Sequence, residues 1–122
     1  MNQSFTIHGK LPSLNDYISA MNSHRHVGNS LKRKTQDVIG WHARGANLKR
    51  MDGPVDIECV WFEQTRRRDP DNVTAATKFI LDALVECRII PDDSQRTIRF
   101  ITHRVMHDKD APRIEVTLEE AK

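Results

Sequence analysis

The pattern that most constrains this chain is a change of period on either side of residues 66–71. Val55, Ile57, Cys59 and Trp61 alternate with Asp56, Glu58 and Val60. A period of two marks a half-buried strand, because successive strand side chains point to opposite faces. From Asn72 to Glu86, and on to Cys87, the apolar residues Val73, Ala76, Ile80, Ala83 and Leu84 recur at three- and four-residue steps. That period predicts an amphipathic helix over 72–86. Between the two runs lies Arg66-Arg67-Arg68-Asp69-Pro70-Asp71-Asn72, read as a loop over 66–71 with Asp71 or Asn72 at the helix cap.

The rest of the chain fits around this pair. Phe5 and Ile7 alternate weakly and predict a strand over 3–9, which Leu11-Pro12-Ser13 breaks. Ser13 is a favoured cap for a short helix from Leu14 to Met21. The polar stretch Asn22 to Asn29, with Gly28, reads as a mobile loop. Ser30 caps a longer helix over 31–48, whose continuity Gly40 and Gly45 weaken. Asp52-Gly53-Pro54 is a turn signal. Ile89-Ile90-Pro91 reads as a short extended piece. Strands follow over 97–106 and 113–118, joined through 108–112. The order strand, helices, strand, helix, strand, strand predicts an α+β fold: a mixed sheet of about four strands covered by helices. A chain of 122 residues with 38% hydrophobic content suits one domain, 1–122, with a single modest core.

Composition narrows the function classes. Cys59 and Cys87 are far apart and lack metal-ligand spacing, so two buried thiols are expected rather than a zinc site or disulfide. Met1 to Phe5 lacks the basic and apolar regions of a secretory leader. No stretch approaches the ~18 apolar residues of a membrane span. A cytoplasmic protein with no membrane partner is expected. The net charge is only +2, so the placement of charge matters more than its sum. Basic residues cluster at His24-Arg25-His26, Lys32-Arg33-Lys34, Lys49-Arg50 and Arg66 to Arg68. His103 and His107 fall in a strand pattern without partners at zinc spacing and read as structural or surface residues.

Arg66 to Arg68 run directly into acids, and this is the feature with chemical content. Clustered guanidinium groups attract phosphate, whereas clustered carboxylates repel it unless a divalent cation intervenes. Taken alone, Asp69 and Asp71 read as helix-start residues, since acids favour caps and the positive helix end. Asp92-Asp93 alone reads as a turn after Pro91. Three carboxylates from Asp69, Asp71 and Asp93 would form a magnesium site only if the chain after the helix folds back along it. Lys78 lies nearly two turns beyond Asp71, on about the same side of the helix. It reads equally as a partner of Asp82, four residues on, or as a cation for a scissile phosphate.

These residues resemble a known family. Arg68-Asp69-Pro70-Asp71-Asn72, Phe79-Ile80-Leu81-Asp82-Ala83-Leu84 and Pro91-Asp92-Asp93-Ser94-Gln95, preceded by Leu11-Pro12-Ser13-Leu14-Asn15-Asp16-Tyr17, are similar to the RusA family of Holliday junction resolvases. The resemblance implies a homodimeric, Mg²⁺-dependent endonuclease that nicks four-way DNA junctions symmetrically in recombination and repair. It implies metal ligation by Asp69, Asp71 and Asp93, with Asp92 adjacent. It also implies a functional lysine on the following helix. The family's lysine falls where this chain has Ala75; the lysine here is Lys78.

The expected mechanism is metal-assisted phosphodiester hydrolysis at Asp69, Asp71, Asp93 and Lys78. Arg66, Arg67, Arg68, Arg25, Lys32 and Lys34 are expected to track the DNA backbone. The alternatives are a non-catalytic DNA-binding module, whose aspartates are caps and turn residues, and a metal-dependent nuclease for other branched or single-stranded nucleic acid. Dimerisation rests on the resemblance, since no exposed apolar stripe announces an interface in the sequence.

Overall fold

The computed structural model describes residues 1–121. Its elements are β1 (Asn2–His8), α1 (Leu14–Ser23), α2 (Arg25–Gly45), β2 (Val55–Glu63), α3 (Pro70–Thr74), α4 (Thr77–Glu86), β3 (Ile98–His107) and β4 (Arg113–Glu120). They form the expected α+β domain with one mixed sheet, in the order β1-β4-β2-β3. β4 runs antiparallel to both β1 and β2. β2 and β3 are parallel, because the chain crosses between them through α3 and α4 rather than through a tight turn.

The alternation read at 55–61 carries directly into burial. Val55, Ile57, Cys59 and Trp61 are all buried, together with Phe5 and Ile7 of β1 and Ile114, Val116 and Leu118 of β4. The helix layer supplies Ile39 and Ala43 from α2 and Ile80, Ala83 and Leu84 from α4. Each fully buried aliphatic side chain contributes roughly 1.5–3 kcal/mol relative to exposure. Cys59 lies in this core, where burial pushes its thiol up to about 12. Cys87 is only half-buried, so the expectation of two buried thiols holds for Cys59 alone.

The helices depart from expectation in two places. No loop spans 22–29: α1 runs to Ser23 and α2 begins at Arg25, with His24 as the single junction residue. The His24 side chain accepts from the His26 N–H and caps α2 in place of Ser30. Gly28 is buried in the first turns of α2, where a Cβ would overlap Met21 Sδ. The glycine that looked like a loop breaker is what lets α1 and α2 pack closely. The second departure lies at 72–86, where the helix divides into α3 and α4. The chain keeps right-handed backbone through Ala75 and Ala76, but Ala76 N–H reaches back only to Val73 O and Thr77 Oγ1 bonds Thr74 O. These three-residue bonds mark a tightened turn at the junction of the two helices.

Ser13 caps α1 as expected, within a reciprocal box: Asp16 N–H donates to Ser13 Oγ and Ser13 N–H donates to Asp16 Oδ2. Ile89 and Ile90 are buried but form no strand; Met51 N–H bonds Ile89 O at 2.7 Å. β3 stands apart. It is an edge strand on which only Ile98 is buried.

Candidate active site

Asp69 has an extended backbone, φ −68° and ψ 150°, as the following proline favours. Pro70 takes the first helical position, where its missing N–H is no loss. The cap is therefore Asp69, not Asp71 or Asn72. The Asp69 side chain nevertheless makes no capping hydrogen bond. Asp71 sits exposed in the first turn. Among the described residues neither carboxylate has a hydrogen-bond or ion-pair partner.

The second acidic pair divides its labour. Asp92 Oδ1 accepts from Ser94 N–H at 2.9 Å, Ser94 Oγ at 2.6 Å and Thr97 Oγ1 at 2.7 Å. These donors, the Ser94 hydroxyl foremost, hold its carboxyl down at about 2. Asp92 thus organises the turn into β3. Asp93 faces α4 instead, and its Oδ2 lies 2.9 Å from Lys78 Nζ. That hydrogen bond keeps the Asp93 carboxyl below the usual carboxylate range. The chain after α4 therefore does fold back along the helix.

Lys78 pairs with Asp82, as one of its two readings expected, and also with Asp93, which the sequence did not suggest. Its Nζ lies 3.0 Å from Asp82 Oδ1 as well as 2.9 Å from Asp93 Oδ2. The two carboxylates, Asp93 first, raise its affinity for the proton. Asp82 also accepts from Gln36 Nε2 at 3.1 Å and lies 3.9 Å from Lys32 Nζ. Lys32 and Lys78 border one cleft of about 350 Å³, floored by Tyr17, Ala75, Ala76 and Phe79. Asp69, Asp71 and Asp93 do not line this cleft.

The expected basic residues separate into two groups. Arg68 is a structural cation. Its Nε and Nη2 bond Glu63 Oε1 and Oε2 at 2.7 and 3.0 Å, and its Nη1 bonds Leu11 O at 3.0 Å. Glu63 continues the β2 alternation onto the inward face and is buried. A buried carboxylate requires a cation, and Arg68 supplies it. Arg66, Arg67, Arg25 and Lys34 are exposed, which leaves them accessible to a phosphate backbone. Lys34 borders a second groove, of about 430 Å³, beside His26, Arg33 and the exposed Trp41. Sequence reasoning missed the Arg68–Glu63 pair. Its signal was present: an acid in the inward register of a strand, five residues before an arginine.

The donor set suits a hard, oxygen-preferring cation, since it consists of carboxylates without histidine or cysteine. Among the described residues, no three His, Cys, Asp or Glu side chains converge closely enough to hold a metal ion. The acids therefore do not form a preassembled cage.

The family model for the endodeoxyribonuclease RusA matches residues 11–119. The chain belongs to the RusA endodeoxyribonuclease family. The match takes in the Ser13 cap of α1, both acidic pairs, Lys78 and all of β2 and β3. A comparison with curated proteins gave no match. No helix among the described residues is long and apolar enough to cross a membrane. In this RusA-family chain Ala75 and Lys78 border the same cleft.

Proposed function

We propose that this chain is a Mg²⁺-dependent endonuclease that resolves four-way DNA junctions by paired symmetric nicks, acting as a homodimer in the cytoplasm. What carries the reading is the match to an endodeoxyribonuclease family over residues 11–119. The unengaged carboxylates of Asp69 and Asp71 and the return of Asp93 to α4 support it.

Asp69, Asp71 and Asp93 are the residues that would hold the ion. Bound there, magnesium would neutralise the scissile phosphate and make water a better nucleophile. Asp93 must then share its carboxylate or release Lys78. A released Lys78, beside Lys32 on the rim of the cleft, would supply a positive charge to a phosphate that gains charge in the transition state. Arg66, Arg67, Arg25, Lys32 and Lys34 would bind the DNA backbone, with salt-sensitive affinity and little base selectivity. Arg68 orients the start of the acidic segment through Glu63 rather than contacting DNA.

The test is a synthetic four-way junction incubated with purified protein and Mg²⁺. Paired nicks that vanish in Asp71→Asn support the reading. An intact junction with the native protein refutes it. A panel of flap, duplex, single-stranded DNA and RNA substrates separates junction resolution from a broader nuclease activity.

A further inference from the structure

Trp41 and Trp61 are the two tryptophans of the chain, and the fold treats them oppositely. Trp61 is 1% exposed in the core, with its indole N–H bonded to His103 Nδ1 at 3.0 Å. Trp41 is 64% exposed, and among the described residues its indole N–H meets no acceptor. The helix dictates this. Ile39 and Ala43, two residues to either side, are buried, and two residues of an α-helix turn through about 200°. Trp41 therefore points away from the core.

Its surroundings are polar and basic. The groove of about 430 Å³ beside it is otherwise lined by His26, Asn29, Ser30, Arg33, Lys34 and Asp37. These residues recur at three- and four-residue steps and form one stripe along α2, which from His26 to Trp41 is about 22 Å long. The acids at this surface are already engaged. Arg33 Nε bonds Asp37 Oδ1 at 3.0 Å, and Arg33 Nη2 bonds Glu86 Oε1 at 2.7 Å. Lys34, about two turns before Trp41, and Arg44, about one turn after it, are exposed and form no ion pair among the described residues. At the far end of the stripe the His26 ring stacks on His24, with centroids 5.0 Å apart.

We propose that Trp41 is a stacking platform for an unpaired base of single-stranded DNA, whose flanking phosphates lie against Lys34 and Arg44. Every base has a π-face, and an aromatic side chain binds it whatever the sequence, once that face is free. In a duplex both faces are covered by neighbouring bases, so Trp41 distinguishes unpaired from paired DNA. Charge selects the occupant. A polyanion meets two free cations here, whereas an apolar protein surface would meet one aromatic ring amid polar side chains.

Such stacking deepens the function proposed above and rests on its DNA-acting reading, yet it needs neither metal nor cleavage. The probe is a thymidine oligomer of about 15 nucleotides, titrated into the native protein with a chelator present. Trp61 is buried, so a saturable quench of the emission reports Trp41; its absence overturns the proposal. The matching duplex, and an abasic oligomer with the same phosphates, are expected to leave the emission unchanged. A quench by either as strong as the single strand's overturns stacking. Before DNA is added, iodide is expected to reach Trp41; an indole shielded in the free protein means that a second copy covers it and overturns the proposal. Anisotropy of a labelled thymidine oligomer is expected to show Trp41→Leu binding roughly 5- to 150-fold more weakly, the range for one stacked base. Trp41→Phe is expected to keep most of the affinity, because phenylalanine retains a π-face and leucine only apolar bulk. Both changes fall on an exposed position, so thermal unfolding is expected to stay native. Leucine binding as tightly as tryptophan, or phenylalanine as weakly as leucine, overturns the proposal. An uncleaved junction leaves oligomer binding standing, and an unbound oligomer leaves junction cleavage standing, so the two readings fail separately.

Discussion

Lys78 and Asp93 are fifteen residues apart in the chain, and their side chains meet at 2.9 Å. The contact fastens the acidic turn after α4 to the start of that helix. It also sets an antagonism, because the Asp93 carboxylate cannot give both oxygens to a cation while Lys78 holds one. Replacing Lys78 with methionine is expected to raise the Asp93 carboxyl toward its ordinary value, since Lys78 is the leading cause of its depression. A carboxyl-carbon NMR titration of the two proteins reads this directly. The same variant is expected to nick junctions about 10²-fold more slowly or worse, the usual loss when one transition-state charge donor is removed.

Asp71 is exposed and without a partner among the described residues. Asp71→Asn is therefore expected to abolish Mg²⁺-dependent cleavage while shifting stability by no more than about 0.5 kcal/mol. Asp69→Asn is the sharper case, because the Asp69 side chain makes no capping hydrogen bond that the change could remove. Thermal unfolding of Asp69→Asn is expected to match the native protein while cleavage is lost. Removing the metal with a chelator is expected to reproduce the same loss in the native protein.

The three arginines at 66–68 are expected to respond differently. Arg68→Ala strands the buried Glu63 carboxylate and is expected to cost about 3 kcal/mol of stability in denaturant unfolding. Arg68→Lys is not expected to restore it, because an ammonium cannot form the paired bonds to both Glu63 oxygens. Arg66→Ala and Arg67→Ala are expected to leave stability within about 0.5 kcal/mol. Their effect is expected in junction affinity, where each lost phosphate contact makes the salt dependence shallower.

Asp92 gives a pH dependence with a defined sign. Its folded carboxyl is lowered from 3.8 to about 2, so the folded state favours the ionised form. The stabilisation is complete above the unfolded value and is lost as pH falls through the folded one. Melting temperature is expected to decline between those two values in the native protein, and less steeply in Asp92→Asn. The same change is expected to loosen the turn that Ser94 and Thr97 close on Asp92, visible as faster amide exchange at Ser94.

Gly28 is expected to resist even alanine. A Cβ there would overlap Met21 Sδ and lie 3.2 Å from Met21 Cα. The thioether can move aside, but the backbone cannot move as freely, so Gly28→Ala is expected to destabilise by roughly 1–3 kcal/mol. Met21→Ala in the same chain is expected to return part of that loss in thermal unfolding.

Much of this protein was legible before folding. Alternation at 55–61 and 113–118 placed the buried strands, because a strand with one covered face writes its burial into every second residue. Ser13 with Asp16 marked the start of α1 through a purely local bond pattern. The acids at 69, 71, 92 and 93 and the motifs around them pointed to the RusA family, since motif order along the chain is itself a sequence property.

What tertiary structure decided is every relation between segments distant in the chain. It closed Lys78 onto Asp93, drew Arg68 to Glu63, and turned the polar stretch with Gly28 into the first turns of a helix packed on Met21. It also left β3 at the edge of the sheet, where its apolar residues are exposed rather than covered. Periodicity reports which residues share a face. Which neighbour covers that face, and which charge finds which partner, depends on contacts that exist only once the chain has closed on itself.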